Sequence, residues 1–171
     1  MSTPQENHIV MTGMMGSGKT AVGLELAEIL GWPFDDSDAD LERRTGSTGR
    51  DIADKHGLAV LHSMEADSLL SSLLSEIPRV ITAAGSVIES IECRNALAQR
   101  AFVVFLDVDV GLMLERFSAE DHRRSTSREE LVVMRERRLP LYESTAQLTL
   151  DADRPVPELV DTVLAALADG G

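Results

Sequence analysis

Cysteine is almost missing from this chain: Cys93 stands alone in 171 residues, so no internal disulfide framework can form. The lone thiol reads as a semi-buried helix or loop group rather than a nucleophile. Long apolar runs are missing too, since nothing reaches the roughly 18 consecutive apolar residues that would indicate a membrane span. Met1 to Asn7 is polar and carries no basic segment ahead of an apolar stretch, which leaves no signal peptide to read. Together these absences predict a cytoplasmic protein. Basic charge is scarce: 16 Lys and Arg face 29 Asp and Glu, a net charge of −13. A broad basic face for nucleic acid is thereby excluded, and any anionic ligand must be met by a local cluster. Repeats and long linkers are absent as well, so 1–171 reads as a single domain, with a monomer as the default.

What is present is concentrated near the start. The apolar run His8 to Thr12 leads directly into Gly13-Met14-Met15-Gly16-Ser17-Gly18-Lys19-Thr20, which fits G-x-x-x-x-G-K-[ST] between a strand and a helix. In such a loop the glycines let successive backbone N–H groups turn toward phosphate oxygens, and the following helix adds the positive end of its dipole. Gly16, Ser17, Gly18, Lys19, Thr20 and Ala21 are the candidate nucleotide-binding residues. Lys19, one of only two lysines in the chain, would reach the β- and γ-phosphates. Thr20 would place its hydroxyl on Mg²⁺.

Periodicity predicts alternating strands and helices. Strands are expected at 8–12, 33–36, 79–83, 101–106 and 147–150, and helices at 19–30, 38–44, 50–56, 60–75, 90–98, 109–117, 127–138 and 156–168. Three of the strands are short continuous apolar runs, as expected for a parallel sheet covered on both faces. In such α/β folds ligands sit beyond the carboxyl ends of the strands. The phosphate loop, the Asp35 to Asp38 segment and the turn at Ala83 to Ser86 would all open on that edge.

Asp36 and Asp38, at i and i+2 past a strand end, could serve one Mg²⁺ through water and one substrate hydroxyl. The competing reading is that this acidic run caps the next helix, a task Asp38 could perform alone. Seven of the sixteen basic residues lie between Arg116 and Arg138, against five acidic ones in the same window, a local excess that suits phosphates. Arg124, Arg128, Arg135 and Arg137 read as a solvated helix face paired with Glu129, Glu130 and Glu136. Arg138, just before Pro140-Leu141-Tyr142, reads as functional. His8, His56 and His122 show no metal-ligand spacing.

These residues also carry a resemblance that runs through nearly the whole chain. The phosphate loop with its following helix, the stretch from Asp36 to Gly46, Glu65, the run Arg137 to Glu143 and the stretch Leu150 to Val160 together resemble the shikimate kinase family. The resemblance implies a three-layer α/β P-loop kinase fold, a five-stranded parallel sheet in the order 2-3-1-4-5 flanked by helices, and a short lid at about 118–127. It implies ATP and Mg²⁺ as cofactors, a small-molecule acceptor and a place in aromatic amino acid biosynthesis. It assigns Asp36 to the metal shell beside Thr20 and Asp38 to the acceptor's hydroxyls as the proton acceptor. It assigns Arg123 to the lid, Arg116 and Pro157 to the adenine, and Arg138 to the acceptor carboxylate. Lys19, Asp38 and Arg123 are then the catalytic set, and Asp38, His62, Gly85 and Arg138 the acceptor set.

The chain departs from that pattern on the acceptor side. His62 stands where the family has a second carboxylate-binding arginine, and Ala83-Ala84-Gly85 stands where it has three glycines. The lid lacks the usual proline after its arginine. One arginine fork instead of two predicts roughly a ten- to hundredfold weaker hold on a carboxylate. The two added methyls are expected to crowd the pocket and to disfavour positive φ. Shikimate or a related small polyhydroxylated acid is the expected acceptor, with shikimate predicted to be a poor one. The alternatives are a cyclitol or sugar-acid kinase and a catalytically weakened nucleotide-binding regulatory protein.

Overall fold

The structure is a computed structural model that describes residues 7–119 and 126–170. Its strands are β1 (His8–Thr12), β2 (Phe34–Asp36), β3 (Val80–Thr82), β4 (Ala101–Asp107) and β5 (Leu148–Asp151). They form one sheet in the order β2-β3-β1-β4-β5, and every pairing is parallel. The helices are α1 (Lys19–Leu30), α2 (Ser37–Thr45), α3 (Gly49–His56), α4 (Leu58–Leu73), α5 (Ile91–Arg100), α6 (Val110–Ala119), α7 (Arg128–Thr145) and α8 (Val156–Asp169). Among the described residues no helix is long and apolar enough to cross a membrane.

All five residues of β1 are buried, because alternate side chains enter different clusters. Ile9 and Met11 pack with Val22 and Leu26 of α1 and Leu159 and Val163 of α8. Val10 packs with Leu69 and Leu73 of α4 and Cys93 and Leu97 of α5. A strand with helices on both faces has no polar side, which explains the unbroken apolar runs in the sequence. A third, smaller cluster of Leu41, Ile52 and Leu61 ties α2 and α3 to α4, each side chain worth roughly 1.5–3 kcal/mol when buried.

Side-chain caps open α2, α3, α5 and α7. Thr48 with Asp51 opens α3 and Ser127 with Glu130 opens α7, each as a reciprocal capping box. Cys93 is fully buried in α5, where burial pushes its thiol pKa up, in keeping with an unreactive packing group.

Two elements differ from the sequence expectation. The turn after β3 is a short 3-10 helix, Gly85–Glu89. Helix α7 does not stop at residue 138 before the proline but continues to Thr145 with Pro140 inside it. Tertiary anchoring explains the continuation: Tyr142 is buried, stacks on Phe105 with ring centroids 4.7 Å apart, and donates from its hydroxyl to the Gly85 carbonyl at 2.8 Å.

Candidate active site

The phosphate loop curls between β1 and α1. Gly16 and Gly18 sit at φ 77° and 90°, conformations that a side chain would strain, and Gly18 is the residue that opens α1. Lys19 Nζ donates to the carbonyls of Gly13 at 2.9 Å and Met14 at 3.0 Å, so the loop holds its own lysine in place. Ser17 is buried and its Oγ has no hydrogen-bond partner among the described residues. An unsatisfied buried hydroxyl in a Gly-rich loop at a helix N-terminus suits an oxyanion.

Thr20 and Asp36 meet across that loop. Thr20 Oγ1 donates to Asp36 Oδ2 at 2.8 Å, and Thr82 Oγ1, from the end of β3, donates to the same oxygen at 3.1 Å. The other carboxylate oxygen, Oδ1, accepts from the backbone N–H of Ala39 at 3.1 Å, which makes Asp36 the N-cap of α2. The competing reading, that the acidic run caps the next helix, holds for Asp36 and not for Asp38, because α2 starts at Ser37, one residue earlier than predicted. Asp38 lies in the first turn of α2 and is exposed, open to a solute. A hydroxyl and a carboxylate in contact are a donor pair of the kind Mg²⁺ uses when waters and phosphates complete its shell. Among the described residues no cluster of three or more His, Cys, Asp or Glu forms a metal cage.

Arg116, from α6, lies against the loop's outer side. It donates from Nη1 to the Gly16 carbonyl at 2.5 Å and from Nη2 to the Ala152 carbonyl at 2.8 Å. It thus joins the phosphate loop to the segment that leads into α8, whose exposed Pro157 stands in the first turn. Arg123, together with most of the lid expected at 118–127, lies outside the described residues.

Arg138 is buried, at 3% exposure. A Cβ placed on Gly85 would come within 3.2 Å of its Nη1, 3.3 Å of the Gly13 carbonyl and 3.4 Å of the Tyr142 hydroxyl. The third residue of the Ala-Ala-Gly turn is thus tightly surrounded, and a side chain there would press on the arginine and the phosphate loop together. The other two positions do not crowd the site as expected. Ala83 is buried in the cluster with Val10, Leu69 and Val87, and Ala84 sits at φ −60°, an ordinary extended conformation. Neither glycine's freedom is needed at Ala84, and the Ala83 methyl fills core.

Glu65 is buried on α4 and accepts a hydrogen bond from Ser86 Oγ. His62 is half-buried one turn earlier on the same helix and lines a cleft shared with Ser86, Glu89 and Arg137. Of the arginines expected to pair along α7, Arg135 and Arg137 reach elsewhere, while Arg124 lies outside the described residues. Arg135 bonds Asp107 at 2.7 Å and the Val108 carbonyl at 3.1 Å. Arg137 reaches Glu89, with Nε 2.6 Å from Oε1. Their long side chains find fixed acceptors at the sheet edge and the 3-10 helix, whereas Glu130 is already engaged in the capping box. Thr82, Ser86, Glu89 and Tyr142 were not legible as site residues, since their partners lie 46, 21, 49 and 57 positions away.

Several known proteins are similar to this chain in sequence and in fold. A family model described as shikimate kinase matches residues 15–168. The chain is 32% identical over 169 residues to the shikimate kinase of Actinobacillus pleuropneumoniae serotype 5b, covering 96% of this chain and 97% of that one. It is 34% identical over 166 residues to the shikimate kinase of Ruegeria pomeroyi, covering 94% and 84%. Among solved structures it is similar to the shikimate kinase from Acinetobacter baumannii in complex with shikimate, with a TM-score of 0.88, 31% identity and coverage of 95% and 93%. A shikimate kinase from Aquifex aeolicus gives a TM-score of 0.81 at 29% identity, covering 96% and 99%.

Proposed function

Because the chain belongs to the shikimate kinase family, we propose that this small-molecule kinase transfers the γ-phosphoryl group of ATP to a hydroxyl of shikimate. The observation that carries the reading is the meeting of phosphate loop and acceptor arginine around Gly85. One added Cβ there would touch the Gly13 carbonyl and Arg138 Nη1 alike. A nucleotide phosphate on the loop and a carboxylated acceptor on Arg138 would therefore be neighbours.

The reaction is an in-line displacement. An acceptor hydroxyl oxygen attacks the γ-phosphorus, the bond from that phosphorus to the β–γ bridging oxygen breaks, and ADP leaves with the electron pair. Asp38 accepts the hydroxyl proton. Lys19 and the backbone N–H groups of Gly16, Ser17, Gly18, Thr20 and Ala21 hold the phosphates, in fixed positions that cost no reorganisation during transfer. Thr20 and Asp36 would hold Mg²⁺, which when bound neutralises charge on the β- and γ-phosphates. Arg116 and Pro157 flank the adenine, and Arg123 reaches in from the lid to the transferring group. Arg138 fixes the acceptor carboxylate, with Gly85 leaving room for it and His62 on the neighbouring wall. Glu65, held by Ser86, supports that wall.

A coupled assay of ADP release across shikimate, quinate, cyclitols and sugar acids tests the proposal. Shikimate is expected to give the highest kcat/KM. A cyclitol or sugar acid that exceeds it would overturn the acceptor assignment, and nucleotide binding without ADP release on any acceptor would mark a regulatory protein instead.

A further inference from the structure

A carboxylate already sits on the acceptor arginine. Glu89 ends the 3-10 helix, and its Oε2 accepts from Arg138 Nε at 3.0 Å and from Arg137 Nη2 at 3.3 Å. Its Oε1 lies 2.6 Å from Arg137 Nε. Consecutive helical residues point about 100° apart and do not normally face one another. Convergence of Arg137 and Arg138 on one carboxylate is therefore not imposed by α7; both long side chains bend toward the same point.

Exposure divides the three groups by task. The side chain of Arg138 is 4% exposed, that of Glu89 29% and that of Arg137 56%. A cleft of about 560 Å³ has Glu89, Arg137, His62, Ser63 and Ser86 on its walls. Arg138 is not on the walls of this cleft, but Glu89, which is, holds it by a hydrogen bond. A solute carboxylate entering there meets Arg138 only by taking the place of the Glu89 carboxylate. Glu89 is able to leave: it is partly exposed and ends its element. The exchange is also balanced in charge, since two guanidinium groups and one carboxylate carry the same net charge whichever carboxylate is present. Burial pushes the Glu89 carboxyl up, but the hydrogen bonds and charges of Arg138 and Arg137 outweigh that and hold it below the ordinary glutamate range.

We infer that Arg137 and Arg138 together form the carboxylate subsite of the acceptor pocket, with Glu89 as an internal carboxylate that the acceptor displaces. Arg137 then supplies the second fork, from the wall opposite His62. The inference rests on the proposed acceptor chemistry, a ring acid, and adds which residues set the affinity for its carboxylate.

The test compares shikimate with its methyl ester, which keeps the ring and hydroxyls and lacks the negative charge. Steady-state kinetics are measured for the wild type, Glu89→Gln and Arg137→Ala, with ADP affinity as the check that each variant is folded. Glu89→Gln should lower KM for shikimate about tenfold with kcat within about twofold, because the neutral amide competes poorly for two arginines. Arg137→Ala should raise KM for shikimate by about tenfold. Neither should move KM for the ester by more than about twofold. A higher shikimate KM in Glu89→Gln would show that Glu89 positions Arg138 instead, and overturn the inference. Equal effects of Arg137→Ala on acid and ester, or none on either, would overturn it too. Wild-type turnover separates the two readings: if shikimate is ignored but quinate shows the same acid-specific pattern, the acceptor assignment fails and the subsite stands.

Discussion

Lys19 is assigned to the nucleotide and Asp38 to the acceptor, so their substitutions should fail in different ways. Lys19 Nζ donates to two carbonyls of its own loop, so the nucleotide exchanges those bonds for phosphate oxygens without moving the lysine far. Lys19→Ala should reduce turnover by at least about a thousandfold, through lost charge neutralisation in a closed site. Asp38→Asn removes the proton acceptor and leaves the loop intact. It should lower kcat by about 10²–10⁴ while ADP affinity, measured by calorimetry, stays within about twofold. An equal loss of ADP affinity would place Asp38 in the nucleotide site instead. Arg123→Ala should lower turnover by orders of magnitude and leave ADP affinity within about tenfold, as for a group that acts on developing charge. Equal losses in both would make Arg123 a ground-state binder.

Helix α7 is the element on which the acceptor side depends. A proline inside a helix removes a backbone hydrogen bond and costs roughly 3 kcal/mol, so Pro140 alone would end the helix. Tyr142, two residues on, locks the far half in place through its stack on Phe105 and its hydrogen bond to Gly85. The same bond fixes Gly85 beside Arg138, which couples the helix to the pocket. Tyr142→Phe should therefore cost about 1–2 kcal/mol in urea unfolding, because the part-buried Gly85 carbonyl loses its donor. It should also raise KM for the acceptor while leaving that for ATP unchanged. A stability loss with both KM values unaltered would separate the Tyr142 bond from acceptor binding.

Taken as a whole, the molecule should lose stability in two steps as pH falls. His8 is buried in β1, its Nε2 donating to the Leu73 carbonyl at 3.2 Å. Burial, with the nearby charges of Arg79 and Arg100, holds its pKa below the ordinary 6.5 despite the opposing backbone bond. The unfolded chain thus binds the proton more readily than the folded one. The His8 contribution is complete above about pH 6.5 and is lost as pH falls toward the lowered folded value, at no more than about 1.4 kcal/mol per pH unit. Asp40 and Glu89 are also lowered, from 3.8 and 4.5, by arginine and, for Asp40, Ser68 contacts that outweigh burial. Their contributions are complete above those values and disappear in a second step below about pH 4.5. Urea midpoints between about pH 8 and pH 2.5 should show both steps, and His8→Phe should flatten the upper one. A wild-type midpoint constant from pH 7.5 to 5.5 would rule out the first step.

The nucleotide half of the site was legible without coordinates because it is local. Strand, glycines, Lys19 and Thr20 are contiguous, and their chemistry follows from backbone geometry over a few residues. The alternation of apolar runs with helical periods likewise indicated a parallel sheet, and the resemblance supplied its order, which the strand pairings reproduce. The acceptor half depended on contacts between residues far apart in the chain. Asp36 became the helix cap because α2 starts at Ser37, and α7 crossed Pro140 because Phe105 and Gly85 hold Tyr142. Arg137 stays on the exposed face predicted for it but pairs with Glu89, 48 residues earlier, instead of a glutamate of its own helix. Local spacing sets which groups a turn or helix can present, but only packing across the sheet decides which carboxylate a long arginine side chain finds.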